Sequence, residues 1–461
     1  MNIREIILEM LLELEKTDGY VNLLLSDVLE KYDYLDPKEK AFIKRVTEGT
    51  VERMIQIDFV LDRISKVPVK RMKPLIRQLL RMSVYQILFM ENVPDAAVCN
   101  EAVNLAGKRK FKQLQGYVNG VLRNVSRQKQ QSEDGADAGF WPDADKDGTG
   151  YLSVMYSMPL WLTEHFLHSY PKEQAETIFH AFLERQPVTL RLEEHLSGPE
   201  KEALLKKWEE GGCVIRQHPY LPYALQIEKA EGIRHLPGYE EGLFTVQDVS
   251  SMLVIEAADL QEGQTVMDIC AAPGGKSLHA ASKLNGSGKV LSFDVSENKL
   301  ARLEENRQRM RMENMETAVC DARNYQEKFA GLADVVLADV PCSGLGVIGK
   351  KPDIKYHVSR QSLKEIVVLQ KEIIQNAAAY VKPGGILMYS TCTINPDENE
   401  NMVEWICKEF DFTPECMCGN LPEALRKEEK AGMLQLLPGI HETDGFFLAR
   451  LKKGGRMDGS K

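Results

Sequence analysis

The 461-residue chain has no run of 18 or more apolar residues, which argues against a membrane-spanning helix. Its start, M-N-I-R-E-I-I-L-E-M, lacks the basic, apolar and small-residue succession of a signal peptide, so a cytoplasmic protein is expected. Nine cysteines are present but no C-x-x-C pair, and in a cytosolic chain they are expected to be reduced. Cys416 and Cys418 form an isolated C-x-C, and a zinc ion needs about four ligands, so no metal is expected. Net positive charge is missing too. The formal charge of -10 argues against wholesale coating of nucleic acid, while leaving room for a local basic face. The dinucleotide fingerprint G-x-G-x-x-G is absent, which counts against NAD.

What is present falls into four stretches. Residues 1–128 carry apolar positions at helical spacing, as in I-R-E-I-I-L-E-M-L-L-E-L, and predict an all-α bundle. Asp36 before Pro37 predicts a helix start. Residues 129–150 are polar, acidic and glycine-rich, and predict a flexible linker. Residues 151–240 predict a small α+β subdomain that binds RNA, with helices near Leu160–Ser169 and Lys172–Glu184 and a strand in V-T-L-R-L. From 241 to 453, strand-like runs alternate with helical ones, which predicts an α/β domain with a doubly wound, Rossmann-like parallel sheet. The late run G-F-F-L-A-R-L fits an antiparallel strand.

The turn after the first of these strands reads D-I-C-A-A-P-G-G-K-S. Its glycines allow close backbone approach, and the helix that follows offers free N–H groups. It is not a P-loop. Cys270 stands where the first P-loop glycine belongs, and Pro273 removes a donor. Asp294 ends the next strand, about 20 residues on, where a carboxylate can accept from both hydroxyls of a ribose. Asp321 and Asp339 end the third and fourth strands. Three carboxylates over one crevice suit a ligand that combines adenosine with a cationic centre. S-adenosylmethionine has both.

Cys342 follows the fourth strand, in D-V-P-C, and Cys392 follows the fifth, in S-T-C-T. In this sheet type those strands are neighbours about 4.8 Å apart, so the two thiols are expected in one crevice. A thiol beside a methyl donor points to carbon-5 methylation of a pyrimidine. That carbon is a poor nucleophile until a thiolate adds to carbon 6. Asp339 is placed to contact N3 of a cytosine and assist the addition. From the residues alone, either thiol can be the one that attacks.

These motifs resemble the Sun/Fmu family of 16S ribosomal RNA (cytosine-5) methyltransferases. The residues that carry the resemblance are Q-D-V-S-S (247–251), D-I-C-A-A-P-G-G-K-S, D-V-P-C-S-G-L-G, K-K-P-D-I-K-Y (350–356) and S-T-C-T-I-N-P-D-E-N-E (390–400). A-A-V-C-N-E-A-V-N-L-A and G-Y-V-N-G-V-L-R-N-V are similar to the NusB RNA-binding fold. The resemblance implies Cys392 as the nucleophile, acting through a covalent adduct at carbon 6, and gives Cys342 a part in product release. It implies that Cys270, Ala271, Ala272, Pro273, Gly274, Gly275, Lys276, Asp294, Asp321 and Asp339 contact S-adenosylmethionine or the target base. It also implies a target of the cytosine-967 type in 16S rRNA.

For RNA binding, the bundle offers two basic clusters, Lys66, Lys70, Arg71, Lys73, Arg77, Arg81 and Lys108, Arg109, Lys110, Lys112. Lys350, Lys351, Lys355 and Tyr356 follow the Pro-Cys loop, and are expected to hold a backbone and stack a base. The reading is therefore a monomeric rRNA methyltransferase with no membrane partner. Two alternatives are a tRNA-directed enzyme of the same chemistry and a non-catalytic RNA-binding or antitermination factor. The second of these would need neither thiol.

Overall fold

The computed structural model describes residues 2–17, 19–133, 141–230 and 232–455. Contacts divide the chain into two compact units. One is Met1–Glu184 together with Ile348–His357; the other is Arg185–Val347 together with Val358–Lys461. No helix among the described residues is long and apolar enough to cross a membrane.

The first unit is helical, as the periodicity predicts. Its central helices, Pro74–Phe89, Asp95–Lys108 and Gln115–Glu133, bury Leu79, Leu80, Val84, Leu105 and Leu122 completely or nearly so. The predicted start at Asp36 is a full capping box. Asp36 Oδ1 accepts from Glu39 N at 2.9 Å, and Glu39 Oε2 accepts from Asp36 N at 3.3 Å. The expected linker 129–150 is helical at both ends, since one helix runs to Glu133 and the next is Gly148–Met155. Residues 134–140 lie outside the described residues. The run R-Q-K-Q-Q is made of good helix formers, and it extends a helix nucleated by the apolar face before it. The helices Leu160–Ser169 and Lys172–Ala181 also belong to this unit, whereas the strands expected with them belong to the second.

The second unit holds two sheets. Strands β1 (Val188–Leu192), β2 (Val214–Gln217), β3 (Ala224–Glu228) and β4 (Phe244–Val246) form an antiparallel sheet in the order β2-β3-β1-β4. The larger sheet contains β5 (Thr265–Asp268), β6 (Lys289–Asp294), β7 (Met315–Val319), β8 (Ala333–Asp339), β9 (Val381–Thr391), β10 (Phe412–Pro414), β11 (Met433–Leu436) and β12 (Phe446–Lys453). Its order is β10-β12-β9-β8-β5-β6-β7, with β11 paired to β12. Strands β5 to β9 run parallel, and β12 runs antiparallel to β9 as expected. The chain moves outward from β5 to β7 on one side, then crosses to β8 and β9 on the other. The strand order therefore reverses between β5 and β8, and ligands bind such sheets at the C-terminal ends beside that point.

Charged side chains fasten the two sheets to each other. Lys283 Nζ lies 2.7 Å from both Glu194 Oε1 and Glu256 Oε1. His279 is fully buried against the same carboxylates, and burial pushes it down to about 3, so it stays neutral. Glu194, Glu256 and His279 are spaced like metal ligands, but the Lys283 ammonium holds the position a cation would take.

Candidate active site

The loop from Asp268 to Gly275 crosses the strand ends at the switch point. Ile269 N donates to Leu337 O of β8 at 3.2 Å, and Ala271 N donates to Phe293 O of β6 at 2.8 Å. The Ala272–Pro273 peptide is cis. Gly274 has φ +110°, and a Cβ there would meet Leu303 Cδ1 at 2.0 Å, so only glycine fits. The helix Gly275–Lys283 starts immediately afterwards and turns its first N–H groups toward the crevice.

Around this loop the carboxylates converge. Asp294 ends β6 and is buried. Its Oδ2 accepts from Ala272 N at 3.2 Å and its Oδ1 from Ser296 N at 2.9 Å. Asp321 lies two residues beyond β7 and is gripped by its neighbour. The Arg323 guanidinium bonds both oxygens at 2.6–3.1 Å and holds the carboxyl below its usual range. Asp339 ends β8, where Lys276 Nζ donates to Oδ2 at 2.7 Å and Ser390 Oγ to Oδ1 at 2.8 Å. Lys276 also reaches Ser251 Oγ at 3.3 Å. Asp268 ends β5, fully buried, with Oδ2 accepting from Ser277 Oγ at 2.6 Å and Oδ1 without a hydrogen-bond partner among the described residues. Burial pushes its carboxyl up to about 7, against the pull of the Ser277 hydroxyl. Cys270 registers the whole group. Burial first, and then the charges of Asp268, Asp339, Asp294 and Asp321, push its thiol well up.

The two expected thiols do meet. β8 and β9 pair in parallel with Asp339 opposite Ser390, and the residues that follow place Cys342 Sγ 3.2 Å from Cys392 Sγ. Both cysteines are reduced and half-buried. The neighbouring thiol, and then burial, push Cys342 well up. The loop G-L-G after Cys342 docks on the turn before β12. Gly346 N donates to Cys392 O at 3.1 Å, and Gly445 N to Gly346 O at 2.9 Å. A Cβ on Gly346 would lie 1.9 Å from Gly445 O, and one on Gly445 would lie 2.6 Å from Gly346 Cα, which accounts for glycine on both sides of the contact.

Several residues of this site escaped sequence reasoning. Glu398 has no exposed surface and accepts from Ser343 N, Ser343 Oγ, Gln370 Nε2 and Asn395 Nδ2 at 2.5–3.1 Å. Burial pushes its carboxyl up in spite of these donors. Asn399 ties the same turn to β9 and β11: Thr391 Oγ1 donates to its Oδ1 at 2.6 Å, and its Nδ2 donates to Thr393 O and Gln435 Oε1. The available signal was the acidic run N-P-D-E-N-E directly after the second cysteine.

Away from the strand ends, several expectations change. Lys355 is not available to RNA. It is 2% exposed, its Nζ donates to Glu52 O at 2.7 Å, and burial pushes it down to about 7. Tyr356 OH donates to Val51 O at 3.0 Å, and Asp353 Oδ2 accepts from Val21 N, the first N–H of the helix Val21–Lys31. The stretch K-K-P-D-I-K-Y thus packs as part of the first unit. Lys350 and Lys351 are exposed there. Lys108 and Arg109 pair with acids of the helix Ile3–Thr17: Lys108 with Glu5 at 2.5 Å, and Arg109 with Glu5 and Glu9. Arg77 pairs with Glu15 and Arg81 with Asp58. Lys66, Lys70, Arg71 and Lys73 remain exposed, with Lys73 over the Phe111 ring. Cys416 and Cys418 share an exposed loop in which both sulfurs approach Glu429 Oε2.

The comparisons fit this geometry. Residues 255–452 match the model of the 16S rRNA methyltransferase RsmB/F family, residues 158–234 its ferredoxin-like domain, and residues 1–127 the NusB family. The chain is 34% identical to the probable ribosomal RNA small subunit methyltransferase B of Bacillus subtilis, over 98% of this chain and 99% of that one. The chain belongs to the RsmB/F methyltransferase family. A second relative, the ribosomal RNA small subunit methyltransferase B of Cronobacter sakazakii, is 31% identical over 93% of this chain and 94% of its own. A crystal structure of a methyltransferase homologue from Pyrococcus horikoshii is 26% identical, with TM-score 0.55, over 67% of this chain and 99% of its own.

This family transfers a methyl group from S-adenosylmethionine. The crevice fits that cofactor. The Gly274 turn lets the backbone come close, and four carboxylates surround the Cys270 loop where a sulfonium charge is welcome.

Proposed function

We propose that the chain methylates carbon 5 of one cytosine in small-subunit ribosomal RNA, at a position of the cytosine-967 type, through a covalent adduct with Cys392. The observation that carries this reading is the pair of thiols 3.2 Å apart at the ends of β8 and β9, beside the carboxylate crevice. Methylation of an amine needs no thiol, because its lone pair attacks directly. A carbon nucleophile needs one.

Residues Cys270–Lys276 hold the cofactor by backbone contact, Asp294 accepts from its ribose hydroxyls, and Asp321 and Asp339 complete the rim. Bound there, the cofactor supplies an electrophilic methyl group. The Cys392 thiolate adds to carbon 6 of a cytosine drawn out of its stack, and the ring electrons move to carbon 5. The Lys276–Asp339 pair supplies the hydrogen that N3 takes up as the ring gains electron density. After carbon 5 is alkylated, Cys342 as thiolate takes the proton of carbon 5, the carbon 5–carbon 6 double bond re-forms and expels the Cys392 thiolate, and N3 returns its hydrogen to the Lys276–Asp339 pair. Cys342, beside Cys392, serves this release. The RNA backbone meets the exposed cluster Lys66, Lys70 and Arg71.

Cys392→Ala is expected to abolish methyl transfer while cofactor affinity stays within about twofold, and Cys342→Ala to accumulate an RNA–protein species visible on a denaturing gel. A trapped species in Cys392→Ala instead would reverse the two roles. Small-subunit rRNA with the same 5-methylcytosine content in cells with and without the protein would overturn the reading.

A further inference from the structure

Each site cysteine is followed by a hydroxyl residue, and both hydroxyls converge on one buried carboxylate. Ser343, next to Cys342, gives Glu398 its N–H at 2.8 Å and its Oγ at 2.5 Å. Thr393, next to Cys392, approaches Glu398 Oε1 at 3.4 Å and lies 2.8 Å from Ser343 Oγ. Gln370, on the helix Arg360–Tyr380, bridges Glu398 Oε2 and the carbonyl of Pro341, the residue before Cys342. Tyr389, on β9, donates to Glu398 O. A carboxylate with no solvent exposure is costly to bury, and its acceptors are filled by the two cysteine loops and their supports.

We infer that Glu398 is a positioning residue for both thiols: it clamps the loop after β8 to the turn after β9, and so sets the separation of Cys342 and Cys392. The inference rests on the proposed reaction, in which both sulfurs act on one base. A displacement near 1 Å in such a site costs up to about 100-fold in rate. Glutamine can replace glutamate here with small disturbance. Its oxygen accepts from Ser343 N, and once the Asn395 amide turns over, its amide can donate to Asn395 Oδ1, which has no partner among the described residues. Alanine leaves the Ser343 N–H without an acceptor.

The test uses the full-length protein and two readouts. The first is closure of a Cys342–Cys392 disulfide by diamide, followed by mass spectrometry of the joined peptides. The two thiols lose two electrons and two protons, and diamide becomes the hydrazine. This reports thiol geometry without any RNA. The second is methylation kinetics, with the melting temperature measured alongside. Glu398→Ala is expected to slow closure and lower kcat by about tenfold or more, with the RNA KM within about twofold, while Glu398→Gln keeps most of both. Asp397→Asn, at the exposed neighbour, is expected to match the parent. If Glu398→Ala does not fold, Ser343→Ala, which removes only the hydroxyl bridge, is expected to slow closure by about threefold. Parental closure rates in a folded Glu398→Ala, or in Ser343→Ala if it alone folds, overturn the inference. Slowed closure with parental kcat keeps the clamp, and overturns the two-thiol reaction instead.

Discussion

Asp268 shows how far one side chain can depart from its surroundings. It ends β5 with one oxygen bonded to Ser277 and the other without a hydrogen-bond partner among the described residues, and burial raises its carboxyl from 3.8 to about 7. A raised carboxyl binds its proton more tightly folded than unfolded. The folded state therefore takes up a proton between about pH 4 and pH 7, and stability falls as pH rises through that window. Asp268→Asn is expected to remove this slope, so that without cofactor its melting temperature at pH 8 gains on the parent while the two agree near pH 4. Parallel curves across the range would show that Asp268 does not titrate there. At the same scale, Asp294, Asp339 and both site cysteines were legible in the sequence, because each closes an apolar run and the crevice of a parallel sheet lies at those ends. Glu398 was not. Its role depends on donors from residues 343, 370 and 395, and distances across the fold are not written in the spacing.

Among the elements, the stretch Ile348–His357 is the instructive one. Three lysines and a tyrosine after the Pro-Cys loop read as an RNA clamp, yet the stretch packs into the first unit and caps the helix Val21–Lys31 through Asp353. A flexible cationic side chain carries no sequence signal for burial, since its apolar stem serves either setting. Lys355→Ala is expected to destabilise the first unit by about 2 kcal/mol in denaturant unfolding, by opening a cavity and orphaning the Glu52 carbonyl. Where the variant is folded, its RNA affinity is expected to equal the parent's. Loss of RNA affinity with unchanged stability would return Lys355 to the RNA surface. The two ends of the expected linker are helical for a related reason. Helix formation is cooperative, and it carries polar residues such as Gln128–Gln131 along with the buried face before them.

For the molecule as a whole, the charge of -10 hides an uneven distribution. Basic residues exceed acidic ones in the first 130 positions, but the fold spends several of them on internal pairs, among them Arg77, Arg81, Lys108 and Arg109. Lys66, Lys70, Arg71 and Lys73 remain exposed, and so do Lys110 and Lys112 of the second cluster. RNA affinity is therefore expected to have a shallow salt dependence. Lys70→Ala and Arg71→Ala are each expected to reduce the slope of log affinity against log salt by about 1, and Lys108→Ala by less. Equal effects at all three positions would show that the Glu5 pairing does not neutralise Lys108.

The order of residues was enough to settle the alternation of strand and helix, the glycine turn after the first parallel strand, and the placing of two thiols at neighbouring strand ends. Those are consequences of local periodicity and of one topological rule, both of which act along the chain. Only the folded protein decided which lysines face water, and which carboxylate binds the two cysteine loops together. Burial and hydrogen-bond partnership depend on atoms far apart in sequence, and they come into being when the core closes.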